Sequence, residues 1–266
     1  MSGISADVWA IGDAYEPYVG RWSRLVAREF LRWLSAARGA SWLDVGCGTG
    51  ALTEVILRTT APRHVQAVDL SLSYVLFARN QVRDRRAAFL VADGRSLPQP
   101  ARSIDIAVSG LALNFIPEPA VAVAEMARVA RAGGIVAVYV WDYADQMQLM
   151  RYFWDAVVDL DPRASALDEA RRFPLCRPAA LEALFRGAGL REVEVLAIDV
   201  PTRFRDFDDY WSPFLGGQGP APGYAMALGE ERRSALRERI RAALPIAADG
   251  SIDLVARAWA ARGTCA

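Results

Sequence analysis

The sequence predicts an α/β fold built on a doubly wound, mostly parallel sheet. Three observations support this prediction. Short apolar runs alternate with segments of helical periodicity through residues 23–140. The connections between them are short, which is typical of consecutive βαβ units. The runs are apolar throughout, as expected of strands that carry helices on both faces of a sheet.

The first half of the chain supplies these elements in order. An amphipathic helix is predicted over residues 23–34, where Leu25, Phe30 and Leu34 recur at helical spacing. Gly133-Gly134 precedes the last apolar run of this half. The predicted strands are residues 42–45, 65–68, 88–92, 104–109 and 135–140, and the predicted helices between them are residues 51–59, 74–82 and 120–130.

The second half is less regular and rich in aromatic residues. Helices are predicted over residues 147–160, 178–187 and 230–244, and strands over residues 192–200 and 254–261. Residues 204–223 combine Phe, Trp and Tyr with Gly and Pro. We expect a single domain over residues 1–266, because no linker or repeat divides the chain. Its expected parts are an N-terminal lid and first helix at residues 1–34 and an aromatic-rich helical cap inserted at residues 142–180 and 204–250.

Composition and charge exclude several classes of protein. The 31 acidic residues balance the 31 basic residues, so the chain lacks the positive field that nucleic acid requires. Every basic residue is arginine, which excludes a lysine base or Schiff base. The 3 cysteines are scattered and predict neither a disulfide framework nor a metal site, which favours the cytoplasm. We expect no signal peptide and no membrane span.

The strongest motif is the turn Asp44-Val45-Gly46-Cys47-Gly48-Thr49-Gly50, between a predicted strand and a predicted helix. Glycines let a backbone turn sharply and approach a ligand closely. A turn without a ligand and a dinucleotide site are the alternatives, but the dinucleotide fingerprint is G-x-G-x-x-G. Here an acid stands two residues before the first glycine. A carboxylate there would repel a pyrophosphate and favours a ligand with sulfonium and ammonium groups.

This turn resembles motif I of class I S-adenosylmethionine-dependent methyltransferases, and the resemblance continues in order. Asp69 ends the second predicted strand, where the family has an acid that binds both ribose hydroxyls. Ala92-Asp93-Gly94 resembles the part that contacts adenine, and residues 103–109 resemble the fourth strand. Residues 128–134 resemble a turn ending in Pro-Gly-Gly, with Ala132 in place of proline. The resemblance implies a seven-stranded, Rossmann-like methyltransferase fold with S-adenosylmethionine as cofactor and no metal.

The entry segment, residues 15–23, resembles that of the type 11 group, which includes ubiquinone and menaquinone biosynthesis enzymes. The resemblance implies that Tyr18 and Arg21 lie near the methionine carboxylate, which the arginine fork can bind with two hydrogen bonds. Packing of the first helix is the alternative for Trp22. The full set of expected cofactor-binding residues is Tyr18, Arg21, Asp44, Gly46, Cys47, Gly48, Gly50, Asp69, Leu70, Ser71, Asp93, Gly94 and Ser109.

The implied reaction is methyl transfer to a small molecule, which requires a base only if the acceptor must lose a proton. Candidate bases are Tyr15, Tyr18, Asp142 and Tyr143, and candidate acceptor-binding residues are Asn114, Trp141 and Trp211. The many aromatic rings favour an aromatic or lipid-like acceptor, although they could equally form the cap's own core.

Two other functions stay open, an NAD-dependent oxidoreductase and a non-catalytic protein that binds S-adenosylmethionine. His64, before the second strand, is expected at the edge of the sheet away from ligands. The sequence predicts no oligomeric state.

Overall fold

The computed structural model describes residues 20–216 and 219–266. The predictions for Tyr15, Tyr18 and most of the N-terminal lid therefore lie outside the described residues. The chain divides into two compact units. The sheet unit comprises Ser23–Trp141, Leu175–Ile198 and Ala258–Ala266. Among the described residues, the aromatic unit comprises residues 20–22, Asp142–Pro174, and Asp199–Arg257 without residues 217–218.

Strands and helices alternate in the first half of the chain, as the apolar runs predict. The strands are β1 (Ser41–Val45), β2 (His64–Asp69), β3 (Ala87–Val91), β4 (Ile104–Gly110), β5 (Ala130–Trp141), β6 (Arg191–Phe204) and β7 (Ile252–Thr264). The helices are α1 (Arg21–Leu34), α2 (Ala51–Thr59), α3 (Leu72–Gln81), α4 (Pro119–Val129), α5 (Gln148–Leu160), α6 (Glu169–Arg172), α7 (Pro178–Gly187), α8 (Phe207–Trp211), α9 (Pro220–Ala227) and α10 (Glu230–Ala243). The predicted helices at residues 51–59 and 178–187 are confirmed to the residue.

The strands form one seven-stranded sheet in the order β3-β2-β1-β4-β5-β7-β6. Strands β1 to β5 pair in parallel, whereas β7 runs antiparallel to β5. The sheet is thus mixed, and the prediction of a mostly parallel sheet is corrected. The physical reason is that β7 enters the sheet between β5 and β6 and runs in the opposite direction to β5.

The strand order reverses direction at β1, because the chain passes from β3 on one side to β4 on the other. Ligands of open α/β sheets bind beyond the carboxyl ends of the strands at such a switch point. In this chain that place is the end of β1 and of β4. His64 begins β2 and therefore lies at the opposite, amino edge, as predicted.

At the amino edge, one carboxylate fixes the register of the central strands. Asp105 at the start of β4 accepts hydrogen bonds from the Ser41 main-chain nitrogen and hydroxyl, at 2.7 and 2.8 Å. Its other oxygen pairs with Arg131, at 2.9 Å. These contacts join the beginnings of β1, β4 and β5, and they lie away from the switch point. Asp105 is therefore a structural residue.

The core of the sheet unit is aliphatic. Leu43, Val68, Val108 and Val136 are fully buried in the central strands, and Met126 of α4 is fully buried as well. A one-residue slip of any strand would turn such side chains to the other face, so this burial specifies the register of the sheet. Regular, rigid strands are what positions the loops at the switch point.

The core of the aromatic unit is built of rings instead. Phe153 stacks on Phe214 with centroids 4.5 Å apart and meets Trp154 edge to face at 5.3 Å. The buried Tyr210 hydroxyl donates to the Leu149 carbonyl at 2.8 Å. Trp211 packs on Phe214, at 5.9 Å. These rings bury one another, which is the core interpretation that the sequence left open for them.

Ion pairs throughout the described residues use arginine as the cation. In several pairs, two guanidinium nitrogens donate to the two oxygens of one carboxylate. Examples are Arg151 with Asp168, at 3.0 and 2.8 Å, and Arg257 with Asp199, at 2.7 and 2.8 Å. The planar guanidinium favours this two-point geometry. Among the described helices, none combines the length and apolar character that crossing a membrane requires.

Candidate functional site

The glycine turn follows β1 and begins α2. The main-chain nitrogens of Gly46 and Cys47 both donate to the Val68 carbonyl of the neighbouring strand, at 2.8 and 3.0 Å. Gly46, Gly48 and Gly50 have φ angles of 73°, 51° and 86°, in the left-handed region that side chains disfavour. The turn therefore needs its glycines for conformation, and Gly50 is the residue from which α2 starts.

Two of these glycines face different surroundings. A Cβ atom on Gly46 would lie 2.4 Å from the Cβ of Ala112, so the loop after β4 packs directly against the turn. A Cβ on Gly48 would meet nothing within 4 Å. The backbone of Gly48 thus borders open space at the switch point, where a ligand can approach it. We call the turn of residues 44–50 and this space the glycine cradle.

Asp69 lies at the mouth of this cradle. Its Oδ2 accepts a hydrogen bond from the Gly48 main-chain nitrogen, and its Oδ1 accepts one from Ser71, both at 2.9 Å. A carboxylate has about four lone-pair positions. Each oxygen of Asp69 can therefore accept one further hydrogen bond, which suits a pair of neighbouring hydroxyls. Burial raises the pKa of Asp69, and the two amide hydrogen bonds partly oppose that shift.

Asp44 lies beneath the turn and is fully buried. Its Oδ2 accepts a hydrogen bond from the Thr53 hydroxyl at 2.7 Å, whereas its Oδ1 has no hydrogen-bond partner in the described ranges. Burial raises the pKa of Asp44 to about 7, and the nearby Asp69 adds to the shift. Asp44 is thus a buried acid of which no part reaches solvent, and its role toward the cofactor stays a prediction.

Asp93 follows β3 and is engaged by a residue that the sequence reasoning missed. Arg95 donates its Nη2 to Asp93 Oδ2 at 2.7 Å and its main-chain nitrogen to Oδ1 at 2.9 Å. This partner lowers the pKa of Asp93 and keeps it ionised. A Cβ on Gly94 would lie 2.9 Å from Val45 and 3.3 Å from Ile116, so this loop also packs closely on the cradle.

The end of β4 and the loop after it carry two buried polar atoms, and the loop packs against the glycine turn. The loop residues Ala112 and Ile116 lie against the positions of Gly46 and Gly94, and Asn114 stands between them in the chain. The Asn114 Oδ1 is buried without a hydrogen-bond partner among the residues described. The same holds for the Ser109 hydroxyl, near the end of β4. Unpartnered buried polar atoms are rare and mark a place where a ligand can supply the partner.

Three further residues that are predicted to bind the cofactor have different surroundings. Cys47 is buried, and burial raises the pKa of its thiol well above the usual range, so it is an unreactive small residue in the turn. Leu70 exposes 68% of its surface beside Asp69. Ser71 caps α3, and its hydroxyl contacts that of Ser73 at 2.8 Å. The cofactor roles of these residues stay predictions.

Arg21 lies in the aromatic unit. Its Nη1 pairs with Asp209 at 3.2 Å, and the guanidinium carbon stands 4.3 Å from the ring centre of Trp22 and 4.8 Å from that of Phe204. Within the described part of the chain, its buried Nε and Nη2 atoms have no hydrogen-bond partner. Those two donors form one edge of the fork, which matches the two oxygens of a carboxylate. Its role toward the cofactor stays a prediction.

The remaining predicted residues are buried. Asp142 accepts hydrogen bonds from the main-chain nitrogens of Asp145 and Gln146, at 3.1 and 3.3 Å, and burial raises its pKa. The Tyr143 ring packs on Phe173, at 5.7 Å. Trp141 and Trp211 are 2% and 5% exposed. Asp142 thus stabilises the turn after β5, and its role as a base, like the acceptor role of the tryptophans, stays a prediction.

The sequence reasoning missed the partners of the site residues. Thr53 orients Asp44, Arg95 engages Asp93, and Ala112 leaves room for the turn. Arg95 carried a signal, because an acid followed two residues later by arginine in a turn can close on itself. Thr53 lies one turn of helix inside α2. Ala112 comes from a distant loop, and nothing local in the sequence indicates its contact.

Comparisons with known proteins agree with this geometry. Residues 43–138 match the family described as a methyltransferase domain. The chain is 36% identical over 142 residues to malonyl-[acyl-carrier protein] O-methyltransferase of Salmonella typhimurium, a match that covers 53% of each protein. It is 30% identical over 165 residues to demethylmenaquinone methyltransferase of a Roseiflexus species, which covers 57% of this chain and 68% of that one. The chain spans about half the length of the first relatives that it matches.

A solved structure gives the fold. Phosphoethanolamine N-methyltransferase 2 of Haemonchus contortus, in complex with S-adenosylmethionine, superimposes with a TM-score of 0.58 at 16% identity. The match covers 96% of this chain and 57% of that chain. The seven-stranded mixed sheet with its helices is thus the Rossmann-like methyltransferase fold. With the ordered motifs around the glycine turn and the extent of the Roseiflexus match, this chain belongs to the class I S-adenosylmethionine-dependent methyltransferases.

Proposed function

We propose that this protein transfers a methyl group from S-adenosylmethionine to a small-molecule acceptor of aromatic or lipid-like character. The observation that carries the proposal is the Asp69 carboxylate, which two main-chain nitrogens fix at the mouth of the glycine cradle. The unpartnered Ser109 hydroxyl and the open space at Gly48 fit a ligand there. When bound, S-adenosylmethionine supplies a methyl group on a sulfonium centre.

The residues of this chain then bind and orient. Asp69 is proposed to accept hydrogen bonds from both ribose hydroxyls, and the backbone of the glycine turn to lie against the ligand. The pKa of Asp44 is about 7, and its ionised form places negative charge beneath the turn, which favours a cationic ligand. Holding two reactants in line can supply much of the rate of such a transfer, so a base is unnecessary for an acceptor that is already a nucleophile.

The acceptor class is proposed from the relatives and from Asn114. By their names, the two relatives act on malonyl-[acyl-carrier protein] and on demethylmenaquinone, respectively. The buried Asn114 Oδ1 can accept a hydrogen bond, so we expect an acceptor that offers a hydroxyl or amino group. Asn114→Ala should raise the KM for the acceptor and leave the affinity for S-adenosylmethionine unchanged. A parallel loss of cofactor affinity would instead assign Asn114 to the cofactor.

We further propose that the chain works as one methyltransferase domain in which the aromatic unit is the acceptor-recognising cap. Its ring core supports this, because a rigid aromatic core is a suitable scaffold for loops that hold an apolar acceptor. Small molecules rather than nucleic acid are the proposed partners, since the charges balance.

Calorimetry with S-adenosylmethionine, S-adenosylhomocysteine and NAD tests the cofactor assignment. We expect saturable binding of the first two and none of NAD. Incubation with methyl-labelled S-adenosylmethionine then tests transfer to demethylquinols, malonyl-carrier thioesters, phenols, amines and fatty acids. Binding of NAD alone would support the oxidoreductase alternative, and cofactor binding without transfer to any of these acceptors would support the non-catalytic one.

A further inference from the structure

A second cavity lies wholly within the aromatic unit. Its volume is about 510 Å³, and it shares no residue with the glycine cradle. Val157 and Leu160 of α5 and Leu228 and Leu236 at α9 and α10 form its apolar wall. Leu160 is 51% exposed, so its side chain is available at the cavity mouth. A half-open cavity of this size can hold the apolar part of a small ligand against that wall.

Two cations border the cavity without a counter-ion. Arg163 and Arg232 line it, and neither guanidinium has an ion-pair or hydrogen-bond partner among the described residues. On the same two long helices, Arg239 pairs with Asp159, so arginines of this surface do find carboxylates where these are within reach. Both guanidinium groups are thus open to a ligand in the cavity.

One acid also lines the cavity, and its carboxylate already accepts a hydrogen bond. Asp161 ends α5, and its Oδ1 accepts a hydrogen bond from the Arg163 main-chain nitrogen at 3.1 Å. The charges that face the cavity therefore sum to one excess positive charge from two arginines and one aspartate. That balance is complementary to a single negative charge.

Tyr224 completes the lining with a fixed hydroxyl. Its ring packs on Trp154 at 5.8 Å and meets Phe153 edge to face at 6.5 Å, so the aromatic core holds its position. Burial raises the pKa of Tyr224, as does the nearby Asp161, whereas Arg232 lowers it. The hydroxyl is therefore a neutral donor at physiological pH, close to both charged groups.

We propose that this cavity binds an amphipathic carboxylate. The carboxylate is held by Arg163 and Arg232, and the hydrocarbon chain lies against the leucine-rich wall. Arginine suits this role because its planar fork donates two parallel hydrogen bonds to one carboxylate. The proposal concerns the aromatic unit alone and does not depend on the methyl-transfer function.

Decanoate is a suitable probe, because it stays monomeric at millimolar concentration. Titration into the whole protein, followed by calorimetry, should show saturable binding at one site per chain. Decanol, with the same chain and no charge, should bind at least tenfold more weakly, since it lacks the charge-assisted hydrogen bonds. Decyl phosphate distinguishes a carboxylate site from a general anion site, and equal or tighter binding of the phosphate would overturn the choice of carboxylate.

Arg163→Gln and Arg232→Gln should each weaken decanoate binding about tenfold or more and leave decanol binding unchanged. Arg171→Gln is the matched control, because Arg171 is an exposed arginine of the same unit that lies outside the cavity lining. Ala235→Trp, which fills the cavity from α10, should abolish the binding of both probes, and an unchanged melting temperature would show that the variant is folded.

Absence of saturable decanoate binding, or an equal loss in all three arginine variants, would overturn the proposal. The same samples titrated with S-adenosylmethionine keep the two proposals apart. Decanoate binding without S-adenosylmethionine binding would contradict the proposed function and support this site.

Discussion

The sheet unit and the aromatic unit each contain an almost completely buried acid whose pKa burial raises to about 7 or 8. In the sheet unit Asp44 is 0% exposed beside the Thr53 hydroxyl, and in the aromatic unit Glu169 is 2% exposed beside the Trp154 indole. Burial raises both pKa values, to about 7 and about 8. The two differ in what is left unpartnered, because Asp44 keeps one oxygen without a hydrogen bond from the described residues.

That difference distinguishes a buried acid of the candidate site from a buried acid of the core. Glu169 is stabilised by its own main-chain nitrogen and by the Trp154 indole, and the surrounding rings are closely packed. Asp44 lies under a backbone turn that borders open space at Gly48. Burial of an acid alone does not indicate function, whereas burial together with an unsatisfied atom near an open cradle does.

Glu169→Gln should give the largest effect on stability. A carboxyl whose pKa is higher in the folded state binds its proton more tightly there, so the free energy of unfolding falls as pH rises from about 4.5 to about 8. The loss should amount to roughly 3–5 kcal/mol. Glutamine keeps the hydrogen bond and cannot ionise, so urea denaturation across this range should show a much smaller fall in the variant. An identical pH profile for both proteins would contradict the buried-acid assignment.

Asp44→Asn tests the corresponding acid of the sheet unit. The same linkage predicts that the free energy of unfolding falls as pH rises from about 4 to about 7 and is constant above that. This upper limit is about one pH unit below the upper limit for Glu169. The contribution should be roughly 3–4 kcal/mol. Denaturation curves of both single variants and of the double variant measure the pH range over which each acid lowers the free energy of unfolding. The same pH range for both acids would contradict the difference between the units.

Gly46→Ala tests the close approach at the cradle. The added Cβ would stand 2.4 Å from that of Ala112 at a φ of 73°, so both strain and a clash oppose it. We expect a loss of about 2–4 kcal/mol in stability and of cofactor binding. Gly133→Ala is the matched control, since φ is 72° there and a Cβ meets nothing within 4 Å. Thermal denaturation should show only about 1 kcal/mol for the control, and equal losses would exclude the clash.

Asp69→Asn should lower stability by about 1 kcal/mol, because its amide arm can no longer accept one of the two main-chain hydrogen bonds, and should weaken S-adenosylmethionine binding about 100-fold. The amide retains the shape of the side chain, but it cannot accept hydrogen bonds on both arms. Asp84→Asn is the control, a carboxylate of the same unit that is paired with Arg86 before β3. Calorimetry should show unchanged cofactor affinity for that control. Unchanged cofactor affinity in Asp69→Asn would contradict the proposal that Asp69 binds the ribose hydroxyls.

The two units also differ in how far the sequence predicts them. Strands β1 to β4 and helix α2 lie within a residue or two of the predicted bounds, because each element has one clear hydrophobic period. Strand β5 begins at Ala130 rather than at residue 135, since the chain pairs with Ile104 before an irregularity and with Ile106 after it. Periodicity does not reveal such a register shift.

In the aromatic unit, periodicity predicts α5 and α10 but not α8 or α9. Helix α9 contains two prolines and a glycine, whose low helix propensity hides it. Ala221 and Ala225, four residues apart, are both fully buried, so packing against the unit overrides that propensity. The cradle residues Asp44 and Asp69 were predictable because motif spacing is local. Their neighbour Ala112 was not, because its contact forms only in the folded chain.

The arginine-only charge network has a practical consequence for labelling. Ion pairs such as Arg257 with Asp199 retain their cation at any pH that the protein survives, because guanidinium does not lose its proton there. The chain also offers no side-chain amine, so amine-directed cross-linkers, fluorophores and acylating reagents have no lysine to modify. Distance mapping between the two units must therefore use carboxyl-directed or thiol-directed chemistry, for which the half-buried Cys265 is a natural first handle.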